Sequence, residues 1–262
     1  MRITRRRSKG QTCRKGAEAI GAKPLAILEE PDFPGRWLEV QGLDIHYRSL
    51  GQGPPIVLVH GSGYDWQEWQ ENLTFFARSF HVYAPDMPGF GLSESTGSPL
   101  TTSWSVSFLR DFMDSLGLQM THIIGHSLGG VAALAFALSL PERVRKLVLV
   151  NSGGLGKLDR SARLRLFMIR KAERLVRRDR RRPTFQKSSK EDWIFTDRLG
   201  DLKPPTMIIW GGRDPYLPVS QALSAQCLIP NCELHVFPNS GHAPHREHSA
   251  KFNKLVHEFF TN

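Results

Sequence analysis

The 262-residue sequence predicts an α/β fold with a mostly parallel sheet and helices on both faces. Three observations predict it. Short apolar and β-branched runs recur along the chain, helical stretches alternate with them, and most runs are apolar throughout, as strands covered on both faces are. Trp37–Val40 and Ile45–Tyr47 read as a strand pair turned at Gly42. Ile56–His60, Val82–Pro85, Ile123–Gly125, Leu147–Asn151, Met207–Trp210 and Leu234–Phe237 read as further strands. Helices are expected at about Glu68–Ala77, Ser103–Leu116, Leu128–Leu140, Ser220–Leu228 and Ser249–Phe260. In such sheets ligands bind beyond the C-terminal ends of the strands, so the residues that follow each strand carry the functional information.

Composition sets the outer bounds. With 40% hydrophobic and 10% aromatic residues, the chain can bury a core, which excludes global disorder. The longest small-or-apolar run, Val131–Leu138, is far short of the ~20 residues of a membrane crossing. No period recurs that would build a solenoid or propeller. Cys13, Cys227 and Cys232 are too few and too scattered for a disulfide framework, and a cytoplasmic, reducing setting is expected.

The net charge of +10 is unevenly spread. Residues 1–23 hold eight Lys/Arg against one acid, and residues 155–190 hold fourteen against three. The rest carries 13 basic and 21 acidic residues, so the body of the chain is acidic. Residues 1–35 are expected to be a basic, disordered extension, with an organellar transit peptide as the minor alternative. The second basic stretch carries a rough apolar stripe (Leu158, Ala162, Leu164, Met168, Ala172, Leu175) among arginines. It reads as a lid helix with a solvated charged face, and weak contact with an anionic membrane is its alternative use. No zinc spacing, RNP-like pattern or helix-turn-helix accompanies the charge, so nucleic acid is not an expected partner.

The chemistry lies at three strand ends. Ile123–Gly125 runs into Gly125-His126-Ser127-Leu128-Gly129-Gly130 and then an alanine-rich helix, a G-x-S-x-G element in the strand–turn–helix setting that it requires. Glycines flank the serine because side chains there would strike the neighbouring strand and helix. The turn lifts the Ser127 hydroxyl above the sheet at a helix N-terminus, where free amides favour a developing oxyanion. A serine at its free pKa needs a base, and the base needs an orienting partner. Asp214 follows the strand ending at Trp210 and His242 the one ending at Phe237. The chain order Ser, Asp, His suits this topology. The loop Gly61-Ser62-Gly63 can aim an amide, with that of Leu128, at the oxyanion. Asp86–Ser93 has the composition of a rigid scaffold turn. His242, His245 and His248 form H-x2-H-x2-H, but Pro244 interrupts any helix, and no metal or organic cofactor is expected. Gly61, Trp66, His126, Phe167 and Trp193 are candidate substrate-pocket residues, with Trp104 beside them; His60 and His126 are expected to be structural rather than proton carriers.

Together these residues resemble the α/β-hydrolase superfamily from about Trp37 to Phe260. The His-Gly loop at 60–61, the D-x-P-G-x-G-x-S turn at 86–93, the elbow at 125–129 and the Gly-His pair at 241–242 fall in the family's order. The resemblance implies a Ser127–His242–Asp214 triad, oxyanion amides from Leu128 and Ser62, and a short lid at about 155–202 inserted after the sixth strand of a domain spanning 36–262. Asn151 occupies the alternative position for the triad acid, which strengthens Asp214. The Gly-His-Ser-Leu-Gly-Gly elbow looks like those of carboxylesterases and lipases, implying a small-molecule ester as substrate. The runs at 60–63 and 151–156 are similar to those of meta-cleavage-product C–C hydrolases, which usually carry Asn before the serine and Trp after the histidine; here these are His126 and Ala243. An acyltransferase and a catalytically silent ligand-binding protein are the remaining alternatives, and oligomeric state is left open.

Overall fold

The computed structural model describes residues 35–97, 101–157, 168 and 193–262. Residues 1–34 of the expected N-terminal extension, almost all of the basic stretch, and Phe167 lie outside the described residues.

Strands β1 (Arg36–Val40), β2 (Leu43–Leu50), β3 (Pro55–Val59), β4 (His81–Pro85), β5 (Thr121–His126), β6 (Val144–Val150), β7 (Thr206–Gly211) and β8 (Cys232–Phe237) form one sheet in the order β1-β2-β4-β3-β5-β6-β7-β8. The β1–β2 and β2–β4 pairs are antiparallel, and all later pairs are parallel. Gln41 and Gly42, both at positive φ (55° and 75°), make the tight β1–β2 turn, the conformation that suits the twist of a two-residue hairpin.

Apolar runs without alternation become strands here because both faces are covered. Val57, Val59, Ile123, Leu147, Leu149, Ile208 and Trp210 join one core. Their neighbours Ile56, Leu58, Ile124, Val148, Val150, Met207 and Ile209 join the other, as a period of two demands. Helices α2 (Thr102–Ser115), α3 (Ser127–Ser139) and α4 (Ser220–Leu228) contribute to the first core, and α1 (Gln70–Phe76) and α5 (Ser249–Thr261) to the second. Helix α3 is buried almost all round, as a helix this apolar has to be. A single 3₁₀ turn, Trp66–Trp69, precedes α1, so the expected helix at Glu68–Ala77 starts as a tighter coil. Strand β8 is half-exposed along most of its length, because it is the sheet edge, where only one neighbour shields it.

At β3 the order of connection reverses: the chain leaves β3 for β4 on one side, and β5 pairs with β3 on the other. The loops following β3 and β5 therefore part, opening the crevice in which doubly wound sheets bind ligands. Both ends of the expected lid segment join the first core: Leu155, Phe195, Leu199 and Leu202 are buried there, and Phe195 N–H bonds the Gly154 carbonyl at 2.9 Å. Among the described residues no helix is long and apolar enough to cross a membrane.

Candidate active site

Ser127 opens α3 directly after β5 with φ +52°. A residue with a Cβ avoids this region at a cost of roughly 1–2 kcal/mol, and such strain gathers at functional turns. The flanking glycines are steric necessities: a Cβ on Gly125 would lie 2.5 Å from the Gly129 carbonyl oxygen, and one on Gly129 would overlap the Val59 carbonyl. One on Gly130 would overlap the Ser152 side chain. The elbow is thus wedged against β3 and against the segment leaving β6. With His126 as N-cap and no side-chain cap, the first amides of α3 have no partner within the helix.

The expected base and acid come together. His242 Nδ1 lies 2.7 Å from Asp214 Oδ2. Asp214 Oδ1 accepts from the amides of Tyr216 and Leu217 at 2.7 and 3.0 Å, which aims its second oxygen at the imidazole. Asn151, at φ +39°, also donates its Nδ2 to Asp214 Oδ2, while its Oδ1 accepts from Gly211 N–H at 3.1 Å. Burial pushes the Asp214 carboxyl up, but the hydrogen bonds and charge of His242, and then Asn151, hold it below its usual value. Burial pushes His242 down, His126 pushes the same way, and Asp214 only partly restores it. The imidazole is therefore neutral at neutral pH, the form in which it can accept a proton.

The loop after β3 is fastened on both sides of one peptide plane. Met87 N–H donates to His60 Nε2 at 2.8 Å, so His60 carries its proton on Nδ1, which donates to the Gly61 carbonyl at 2.8 Å. Tyr64 N–H binds that carbonyl too. Because a trans peptide is planar, holding the Gly61 C=O fixes the opposite direction of the Ser62 N–H. His60 is thus structural, as expected, and orients a predicted oxyanion amide. The turn at 86–93 is the scaffold expected: Asp86 pairs with His46 at 2.8 Å and accepts from the amides of Trp66 and Leu92.

Gly61, Leu128 and Gly129 line a cleft together with His60, Met87, Phe90, Ser105 and Ala132. The other expected pocket residues are placed differently. His126 is 1% exposed, with one ring nitrogen 2.8 Å from Glu68 and the other 2.9 Å from the His242 carbonyl. Trp66 packs on the second core under Arg48, and Trp104 and Trp193 pack on the first. The three histidines of the H-x2-H-x2-H run diverge: His242 faces Asp214, His245 is buried against Trp69, and His248 lies beside Phe237. Sequence reasoning missed Glu68, His245 and the Asn151 contact to Asp214. The signals were a carboxylate within an aromatic stretch for Glu68, the H-x2-H-x2-H run for His245 and the alternative acid position for Asn151, none of which names a partner.

A family model described as the alpha/beta hydrolase family matches residues 56–255. The chain belongs to the α/β-hydrolase family. Within it, the chain is 30% identical over 261 residues to a 2-hydroxy-6-oxo-6-phenylhexa-2,4-dienoate hydrolase of Burkholderia cepacia, covering 83% of this chain and 91% of that protein. It is 32% identical over 263 residues to a 2-hydroxy-6-oxononadienedioate/2-hydroxy-6-oxononatrienedioate hydrolase of Burkholderia vietnamiensis, with the same coverage. Among solved α/β-hydrolase structures it is similar to the meta-cleavage product hydrolase CumD of Pseudomonas fluorescens (TM-score 0.73, 26% identity, 87% of this chain and 97% of that one). It also shares the fold of carboxylesterase CesB of Bacillus subtilis (TM-score 0.78, 22% identity, 87% and 91%). The chain is a hydrolase of this family with similarity to the meta-cleavage product hydrolases.

Proposed function

We propose that the chain is a serine hydrolase of carboxylic esters, with Ser127 as nucleophile, His242 as general base and Asp214 as its orienting acid. The observation that carries the reading is the left-handed backbone of Ser127 at the head of α3, a strain that scaffolding alone does not require. In the reaction, Ser127 Oγ attacks the ester carbonyl as its proton passes to His242 Nε2. The oxyanion rests on the Ser62 and Leu128 amides. The tetrahedral adduct collapses, the alcohol leaves with the His242 proton, and water deacylates the enzyme by the same path.

A second reading, hydrolysis of a C–C bond beside a ketone, is favoured by the names of the relatives at 30–32% identity. The Gly125-His126-Ser127-Leu128-Gly129-Gly130 elbow, with His126 before the serine and Ala243 after the candidate base, keeps the ester first.

Hydrolysis of p-nitrophenyl esters from acetate to palmitate, beside 2-hydroxy-6-oxo-6-phenylhexa-2,4-dienoate, separates the two. Ester turnover abolished in Ser127→Ala, with the dienoate at least 100-fold slower in kcat/KM, is the expected outcome. The reverse preference makes the chain a C–C hydrolase. Full activity in Ser127→Ala sinks the serine mechanism.

A further inference from the structure

We propose that Glu68 and His126 act as positioning residues, a buried ion pair that holds the loop after β3 and the His242 loop at a fixed separation across Ser127. The inference rests on the serine-hydrolase reading. Glu68 sits in the 3₁₀ turn before α1 with its side chain fully buried. Its Oε2 accepts from Gly61 N–H at 2.7 Å, and its Oε1 lies 2.8 Å from His126 Nδ1. On its far side, His126 Nε2 lies 2.9 Å from the His242 carbonyl. A carbonyl can only accept, so Nε2 carries a proton; a carboxylate at 2.8 Å asks for one on Nδ1 as well. Burial disfavours both charges, yet each is held by the other: His126 is raised, and Glu68 is lowered to about 2. The result is a continuous line from the Gly61 amide through Glu68 and His126 to the backbone of His242. It joins the loops that follow β3 and β8 through the last residue of β5, three strand ends that no run of local sequence connects.

His245 Nε2 lies 3.8 Å from the same carboxylate oxygen, and the Glu68, His126 and His245 ligand atoms fall within 4.8 Å of one another, a set that a divalent metal could use. The separations favour a direct ion pair. Two ligands at about 2.0–2.1 Å from a tetrahedral zinc stand roughly 3.3 Å apart, whereas Glu68 Oε1 and His126 Nδ1 are in direct contact at 2.8 Å. His245, stacked on Trp69 with ring centroids 4.4 Å apart, is pushed well below its usual pKa by burial and then by His126, and stays neutral.

Buried ion pairs often add little net stability, so the effect is sought in the reaction. Glu68→Gln keeps the shape and removes the charge, and His126 can then lose its proton. The expected result is a fall of about 10–100-fold in kcat and kcat/KM together, because misplacing an oxyanion donor acts on the transition state. KM on a p-nitrophenyl ester should stay within twofold. A fluorophosphonate should label Ser127 to the wild-type end point, but more slowly. The double variant Glu68→Gln/His126→Asn, which leaves no lone buried charge, should lose no more than the single one, since the two act as a unit. Unchanged kcat, a loss matched by a lower labelling end point, multiplicative losses, or stoichiometric zinc in the purified wild type would each overturn the proposal. Wild-type protein that the fluorophosphonate fails to label at Ser127 would instead strike the serine-hydrolase reading, before any variant is measured.

Discussion

At the residue scale, burial sets the working range of His242. Its pKa is lowered from the ordinary 6.5, and only the neutral ring accepts the serine proton. The acid limb of kcat/KM for a p-nitrophenyl ester should therefore lie below pH 6.5, with full activity above it. Activity still climbing above pH 7 would contradict this placement of the base. Asn151 is the other telling residue here. Its amide spans Asp214 and Gly211 N–H, so it steadies the acid rather than replacing it.

At the element scale, the elbow depends on how closely α3 approaches β3. A methyl on Gly129 meets the Val59 carbonyl, and neither backbone can yield without moving the nucleophile. Gly129→Ala should lower Tm and abolish hydrolysis, a double effect that calorimetry and an ester assay would register; wild-type Tm and rate would refute the steric account. Helix α2 offers a milder case. Thr101 caps it by accepting from Trp104 N–H at 3.1 Å. Thr101→Ala should cost about 1 kcal/mol in urea unfolding, with m unchanged and kcat untouched.

For the whole molecule, acid stability follows from buried histidine. His122 is pressed between Phe80 and Phe260; burial, then Arg145 and Lys146, lower its pKa from 6.5 to about 3. The unfolded chain takes up this proton as pH falls below 6.5 and the folded chain does not until about 3. The contribution is therefore complete above pH 6.5 and is lost as pH falls through that window. His122→Phe should flatten the fall in unfolding free energy between pH 6.5 and 3.5 by up to one proton; an unchanged slope would show that the ring is charged or exposed in the folded state.

Across these scales, the features legible in the sequence are those set by local sterics. Apolar runs uninterrupted by polar alternation announced strands covered on both faces. Glycines around Ser127 announced a turn in which a Cβ has no room, and the order Ser127, Asp214, His242 marked three strand ends on one edge of the sheet. The sequence by itself thus determined the fold and the identity of the candidate acid, base and nucleophile. Only the tertiary structure decided what lies beneath them. His60 orients the Gly61–Ser62 peptide, Asn151 braces Asp214, and Glu68 with His126 ties two loops together, each through contacts set by strand order and register. The physical reason is that a buried polar group takes its meaning from its partner, and a partner brought near by the sheet leaves no mark in the residues alongside it in the chain.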